Sequence, residues 1–258
     1  MTEPSPPDDR LVGTDRVLAV LLELGEHHQG VTLDELAARM QAPKPSVHRA
    51  LGSLCRAGLA ARIGRGVYIL GDDFLRLAFA NHAARPDTAM MTPILERLSE
   101  RFSETAHYAV LDGADVVYRA KTDPPLGAVR LTSVIGGRNP AHSTAVGKLL
   151  LSSSVRSEAD LVELLGPGPL RRRTERTIVD PGELWRQLEV IAHQGYAIED
   201  EENEAGIACI AVPAPLAPSG PGRAAGGLSV SALTFRTPLR ALVEGLPEIR
   251  SIVGGTGR

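Results

Sequence analysis

Apolar residues recur at helical spacing through the first third of the chain. Val17, Leu18, Leu21, Leu22 and Leu24 follow Thr14 and Asp15, either of which can cap a helix there. Leu33, Leu36, Ala37 and Met40 then fall at i, i+3, i+4 and i+7, and Val47, Ala50, Leu51 and Leu54 repeat the spacing. Only Gln41-Ala42-Pro43-Lys44 lies between the two patterns, room for a tight turn and nothing more. Pro45 suits the first turn of the second helix, where a missing N–H costs nothing, and Gly58 suits its C-terminal end. This is a helix-turn-helix pattern. Two short strand patterns follow at 60–65 and 67–70, around Gly64-Arg65-Gly66, whose glycines permit a tight turn. Three helices and a hairpin predict a winged helix-turn-helix over 14–71.

Residues 72–84 return to helix with Phe74, Leu75, Leu77, Ala78 and Phe79, apolar nearly all round. We read it as a linker helix that also packs against a second subunit; burial inside its own domain is the alternative. Arg85-Pro86-Asp87 breaks the chain, so the linker is placed at 72–86 and a second domain at 87–254. That domain opens with a helix over 88–102. Strand patterns follow at 105–111 and 116–121 around an Asp112-Gly113 turn, and at 129–135, with a loop at 136–140. A helix is predicted from Thr144 through Ser152 and another over 158–165, then an exposed basic connector, GPGPLRRRTERT. Asp180 and Pro181 begin a helix ending near Gly195; strands follow at 196–198, 207–212 and 227–234, and one last helix at 238–253. Helices and strands mix without a βαβ rhythm, so the fold class is α+β with a largely antiparallel sheet.

The polar face of the second helix changes the picture from fold to function. At about 100° per residue, Ser46, Arg49, Ser53 and Arg56 gather opposite its apolar stripe. Small hydroxyls and long cations on one helix face suit the major groove, where Arg forks onto guanine and Ser meets phosphates or bases. Arg62 and Arg65 project from the hairpin, and Lys44 and His48 complete the predicted DNA-contacting set. Between positions 36 and 71 stand six cations (Arg39, Lys44, Arg49, Arg56, Arg62, Arg65) and no Asp or Glu. The whole chain carries 28 Lys+Arg against 31 Asp+Glu, so the basic patch is local. A local cationic patch on a net-acidic chain is the footprint of double-stranded DNA binding.

Other chemistry is sparse. Cys55 and Cys209 stand alone with no CxxC, which fits a reducing compartment and no structural zinc. The opening MTEPSPPDDR is Pro-rich and acidic, unlike a signal peptide, and no apolar run approaches membrane length. A disordered tail at 1–13, a cytoplasmic location and no membrane contact are expected. HSTAVGKLLL fails as a phosphate loop, because position 142 is His and position 149 is Leu where Gly and Ser or Thr are needed. No cofactor or metal is called for. The acidic run at 199–204 reads as a solvated turn between strands, with its edge lining a pocket as the competing reading. Small polar groups do concentrate in the second domain. Ser143-Thr144 open a helix, Cys209 lies on a strand, and Ser229 and Ser231 share one face of another. A small anion suits such a place. A nucleophilic Cys209, or the acids at 199–202, acting with His142 as base on a small acid is the weaker, enzymatic alternative.

Four stretches, in order, carry a resemblance over most of the chain: KPSVHRALGSLCRAGL with RGVYILG, GGRNPAHSTAVGKLLL, GYAIEDEENEAGIACIAVP and GGLSVSA. With them the chain resembles the IclR family of bacterial transcription regulators. The resemblance implies a winged helix-turn-helix, a linker helix and a C-terminal effector domain with a GAF-like or profilin-like sheet. It also implies a homodimer or tetramer that answers to a small organic acid or aromatic metabolite. By the same resemblance, effector-binding positions fall on Ala145, Val146, Glu199, Cys209, Ser229 and Ser231, with Glu199 standing where the family often has the shorter Asp.

Overall fold

The structure, a computed structural model, describes residues 13–124, 131–216 and 226–255. The chain divides into two compact units, Met1–Ala84 and Arg85–Arg258. The tail expected at 1–13 lies outside the described residues up to position 12. Gly13 itself is helical, so Thr14 and Asp15 sit inside the first turn of α1 (Gly13–Gly25) and do not cap it.

In the first unit β1 (Val31–Thr32) leads into α2 (Leu33–Arg39), and a turn delivers α3 (Lys44–Arg56). Thr32 caps α2 reciprocally with Glu35: the Thr32 Oγ accepts from the Glu35 N–H at 3.3 Å, and a Glu35 carboxylate oxygen accepts from the Thr32 N–H at 2.9 Å. Val20, Leu24, Leu36, Val47, Leu51 and Leu54 form the core between the helices. The predicted hairpin is present as β2 (Ala60–Ile63) and β3 (Val67–Leu70), and β1 adds a third antiparallel strand beside β3 that periodicity could not signal at two residues. Tyr68 pins the hairpin to the core. Gly58 ends α3 at φ +70°, where a Cβ would meet the Asp73 carboxylate at 2.2 Å. The helix α4 (Asp72–Ala83) is exposed along most of its length, Leu75, Leu77 and Phe79 included.

The second unit is one six-stranded antiparallel sheet, order β6-β5-β4-β9-β8-β7, with helices on both faces. Its elements are α5 (Pro86–Phe102), β4 (Thr105–Asp112), β5 (Asp115–Thr122), β6 (Arg138–Pro140), α6 (Ala145–Ser154), α7 (Glu158–Leu165), α8 (Pro181–Gln194), β7 (Ala197–Asp200), β8 (Ile207–Pro213), β9 (Gly227–Leu233), α9 (Leu239–Glu244) and α10 (Leu246–Gly254). Strand alternation sorts the core. Tyr108, Ile210, Val212, Leu228 and Val230 pack with α5, α9 and α10, while Ala109 and Ala211 face the α6 side. His107, Cys209, Ser229 and Ser231 share that second parity, so the central strands are apolar toward α5 and polar toward α6.

Four expectations need correction. The described part of 129–135, from Leu131 on, is not a strand; it runs as coil, because its residues meet Lys121 and His107 side chains and not a neighbouring strand. The loop at 136–140 contains the edge strand β6, paired with β5 through Arg138–Pro140. The last helix is two helices: Gly245 ends α9 against the Phe102 ring, and Pro247 in the first turn of α10 has no N–H to continue the run. The basic connector is only partly exposed, since Leu170 and Thr177 are buried, and Thr177 Oγ1 donates to the Glu202 carbonyl at 2.6 Å.

Candidate functional site

The outward face of α3 carries the predicted row. Arg49 Nη2 lies 3.5 Å from Ser46 Oγ, Ser53 Oγ donates to the Arg49 carbonyl at 3.2 Å, and Arg56 Nη2 donates to Ser53 Oγ at 3.0 Å. The hydroxyls thus hold the guanidinium groups along the helix instead of leaving them splayed. On one flank Arg16 of α1 joins Ser46, Arg49 and Ser53 around a shallow depression, a neighbour that the helix-turn-helix pattern did not point to. On the other flank His48, Arg62 and Arg65 line a groove with Thr32 and Tyr68 between α3 and the hairpin. Arg49, Arg56, Arg62 and Arg65 are exposed and form no ion pair with an acid among the described residues. Lys44 differs: its Nζ lies 3.0 Å from Asp34, a residue just upstream of the acid-free window.

In the second unit a cavity of about 240 Å³ opens on the α6 side of the sheet. The sheet supplies its floor through His107, Tyr118, Cys209, Ser229 and Ser231. Thr144, Ala145 and Val146 at the start of α6 form one wall, and Glu199 with Asn203 another. Residues 131–134 cover a third side, and Arg138 and Arg173 stand at the rim. All six positions implied for the effector, Ala145, Val146, Glu199, Cys209, Ser229 and Ser231, therefore line one space. No helix among the described residues is long and apolar enough to cross a membrane.

Local sequence explains how α6 aims at this space. Thr144 is extended and its hydroxyl accepts from the Gly147 N–H at 3.1 Å, while its carbonyl accepts from the Lys148 N–H at 2.9 Å. Those bonds satisfy the third and fourth amides of the helix and leave the first two, on the cavity-lining Ala145 and Val146. Gly147 is required by contact, since a Cβ there would sit 2.2 Å from the Ala141 carbonyl oxygen.

The electrostatics are those of a site whose groups are kept neutral. His107 is fully buried, and burial first, then the Lys121 charge, holds its imidazole down to about 3, so it is uncharged at neutral pH. Its Nε2 lies 2.8 Å from Ser133 Oγ and its Nδ1 3.4 Å from Ser231 Oγ, which in turn accepts from the Cys209 thiol at 3.1 Å. Burial pushes the Cys209 thiol well above its ordinary value, so it is a packed donor and not a thiolate. The phenol of Tyr118 is raised to about 12, again by burial.

Glu199 is 1% exposed. One of its oxygens accepts N–H bonds from Glu202 at 2.5 Å and Asn203 at 3.0 Å, yet burial outweighs them and lifts the carboxyl to about 7. The buried Lys148 ammonium is committed to Glu202, at 2.6 Å. The acidic run is consequently not a fully solvated turn: Glu199 and Glu202 are interior, Asp200 and Glu201 reach out to Arg176, and Glu204 is exposed. His142 does not serve the cavity; its Nε2 meets the Arg171 carbonyl at 3.0 Å, which removes the base that the enzymatic alternative required. Periodicity alone did not single out His107, Ser133 or Arg173. Strand alternation over Thr105-Ala106-His107-Tyr108 sets His107 and Tyr108 on opposite faces, a signal the sequence reading did not use, and the pairing of His107 with Ser229 joins strands remote in sequence.

Comparison with known proteins agrees with both halves. Residues 13–64 match the IclR helix-turn-helix domain, and residues 87–252 match the domain described as bacterial transcriptional regulator IclR C-terminal. Over 205 residues the chain is 32% identical to the Pca regulon regulatory protein of Pseudomonas putida, covering 80% of this chain and 69% of that protein. It superposes on the crystal structure of the Thermotoga maritima IclR with a TM-score of 0.66 at 25% identity, covering 94% and 98% of the two chains. The inducer-binding domain of an Acinetobacter PobR double mutant, in complex with 3-hydroxybenzoic acid, matches with a TM-score of 0.58 at 28% identity, over 66% of this chain and 97% of that one. The chain belongs to the IclR family of DNA-binding bacterial transcription regulators, which are not enzymes.

Proposed function

We propose that this regulator is controlled by a small organic acid, with an aromatic acid the favoured class, bound in the second unit's cavity. The cavity carries the reading: a half-open space of about 240 Å³ with two helix-start amides on one side and neutral hydroxyl, thiol and imidazole groups on its floor. A ligand carboxylate sits at the Ala145 and Val146 amides, where the helix dipole favours negative charge. Val146, Ile207 and Tyr118 pack against an apolar body, and Ser229, Ser231 and Cys209 meet polar substituents. The 3-hydroxybenzoic acid held by the PobR domain supports the class.

The DNA contacts assigned are Ser46, His48, Arg49, Ser53 and Arg56 from α3, Arg62 and Arg65 from the wing, and Lys44 at the helix start. The chain acts in the cytoplasm as a homodimer or a tetramer built from dimers. Leu22 of α1 is 73% exposed and Phe79 of α4 69%, with Leu18, Leu75 and Leu77 also outward, apolar area that a second copy would cover. A symmetric pair presents two α3 helices to adjacent half-sites, and α4 is the linker through which ligand binding shifts their spacing. A thermal-shift screen of aromatic and short-chain acids tests the effector class: at least one stabilises the wild type and not a Ser229→Phe variant that still binds DNA. Equal stabilisation of both proteins contradicts the assignment of the cavity.

A further inference from the structure

Resting on the reading of the cavity as the effector site, we infer that the effector anion enters together with a proton, which is held between the Glu199 carboxyl and the ligand. The balance of charge around Glu199 is what points to it. Glu199 lines the cavity as a carboxyl with no cation of its own among the described residues. The one buried ammonium near it, Lys148 of α6, is spent on Glu202 at 2.6 Å. Two carboxyls and one ammonium leave the site one positive charge short before any anion arrives.

Among the described residues, no other group facing Glu199 makes up the difference. Across the β7–β8 pair stands Cys209, whose neutral thiol lies within hydrogen-bonding reach of Ser231 and of Glu199. From β5 comes Tyr118, a neutral phenol, and from β4 His107, a neutral imidazole. Its own turn contributes two backbone N–H donors and two more carboxylates, those of Glu202 and Glu204. Arg173 stands at the rim, is exposed to solvent, and points its Nε to the Asn203 carbonyl at 3.4 Å. Arg138, also at the rim, is held by Asp112 and Asp115. A carboxylate ligand that reaches the α6 amides thus shares one small space with Glu199, whose own carboxyl is almost fully shielded from solvent. Two like charges there repel strongly, while an acid paired with a carboxylate forms a short, charge-assisted hydrogen bond. The raised affinity of Glu199 for its proton, near pH 7 in the empty site, means that this proton is half present already.

The test is calorimetric binding of 3-hydroxybenzoate, 4-hydroxybenzoate and pyruvate to the full-length protein between pH 6 and pH 8. For an acid that binds, the expected result is an affinity about tenfold higher at pH 6 than at pH 8, the ratio of the protonated fractions of a group titrating near 7. Repeating the binding at pH 7 in two buffers of different ionisation heat gives an uptake of about half a proton per site. Glu199→Gln, which keeps an oxygen for the two N–H bonds, binds without the pH slope. The proton count on the wild type stands whether or not that variant folds. Binding that is equally tight at both pH values, with no proton uptake, overturns the inference and leaves the effector reading intact. Failure of all three acids to bind at either pH overturns the organic-acid reading and this inference with it.

Discussion

Lys148 has no exposed surface and one acidic partner, Glu202, which is itself buried. Removing one member of such a pair strands the other charge, so Lys148→Met should destabilise the second unit by about 3–5 kcal/mol in chemical denaturation, and adding Glu202→Leu should recover most of the loss. A double variant as unstable as the single one would contradict that account. Glu199 gives a stability that depends on pH. Its folded carboxyl titrates at about 7 against 4.5 unpaired, so the stability it contributes is full below pH 4.5 and is lost as pH rises through 7. The difference amounts to about 3 kcal/mol. Glu199→Gln should therefore raise the melting temperature at pH 8 and leave it near the wild-type value at pH 5; a gain of the same size at both would refute it. His107, held down to about 3, acts in the opposite sense: its contribution is present above 6.5 and fades as pH falls toward 3. On the DNA side, Arg49→Ala should weaken operator binding by about 1–3 kcal/mol if Arg49 reads a base, measured by fluorescence anisotropy; unchanged affinity would remove that role.

The helices of the first unit were legible as elements because each carries an apolar stripe that must be buried against its neighbours, and those stripes set their boundaries to within a residue or two. Thr144 and Asp180 were legible too, since a small polar residue before an apolar helix has one local use, and both accept a hydrogen bond from the third residue of the helix. Thr144→Val should cost about 1 kcal/mol in thermal unfolding and weaken acid binding as well, because the same residue sets the start of α6 beside the cavity. Less legible was whatever depends on distant partners. Residues 131–135 have the composition of a strand, but Lys121 Nζ donates to the Leu131 and Ser133 carbonyls at 2.8 Å each, and hydrogen bonds spent on a side chain are not spent on a ladder. The acidic run looked solvated because charge is usually outside; nothing local showed that Lys148, fifty-odd positions earlier, would be buried against it. Residue patterns alone marked Cys209, Ser229 and Ser231 as a polar set, and the resemblance supplied Ala145, Val146 and Glu199. His107 was missed because its role follows from its register with Ser229, a pairing between strands far apart in the chain.

Two units with separate cores, one bearing an uncompensated row of arginines and the other a polar-floored cavity, divide the labour of a regulator between them. The proposed assembly of more than one chain rests on the exposed apolar residues of α1 and α4, which a partner would cover. Phe79→Glu should lower the mass measured by light scattering from that of a dimer or tetramer toward that of a single chain, and should weaken operator binding, while an isolated-chain mass in the wild type would contradict the assembly. The most direct measurement is the affinity of the purified protein for promoter fragments from its own locus, titrated across salt with aromatic and short-chain acids absent and present. Tight, steeply salt-dependent binding that one of those acids shifts at least tenfold is the predicted result. Indifference to those fragments even at low salt, or a DNA affinity that no acid of the panel alters, would contradict it.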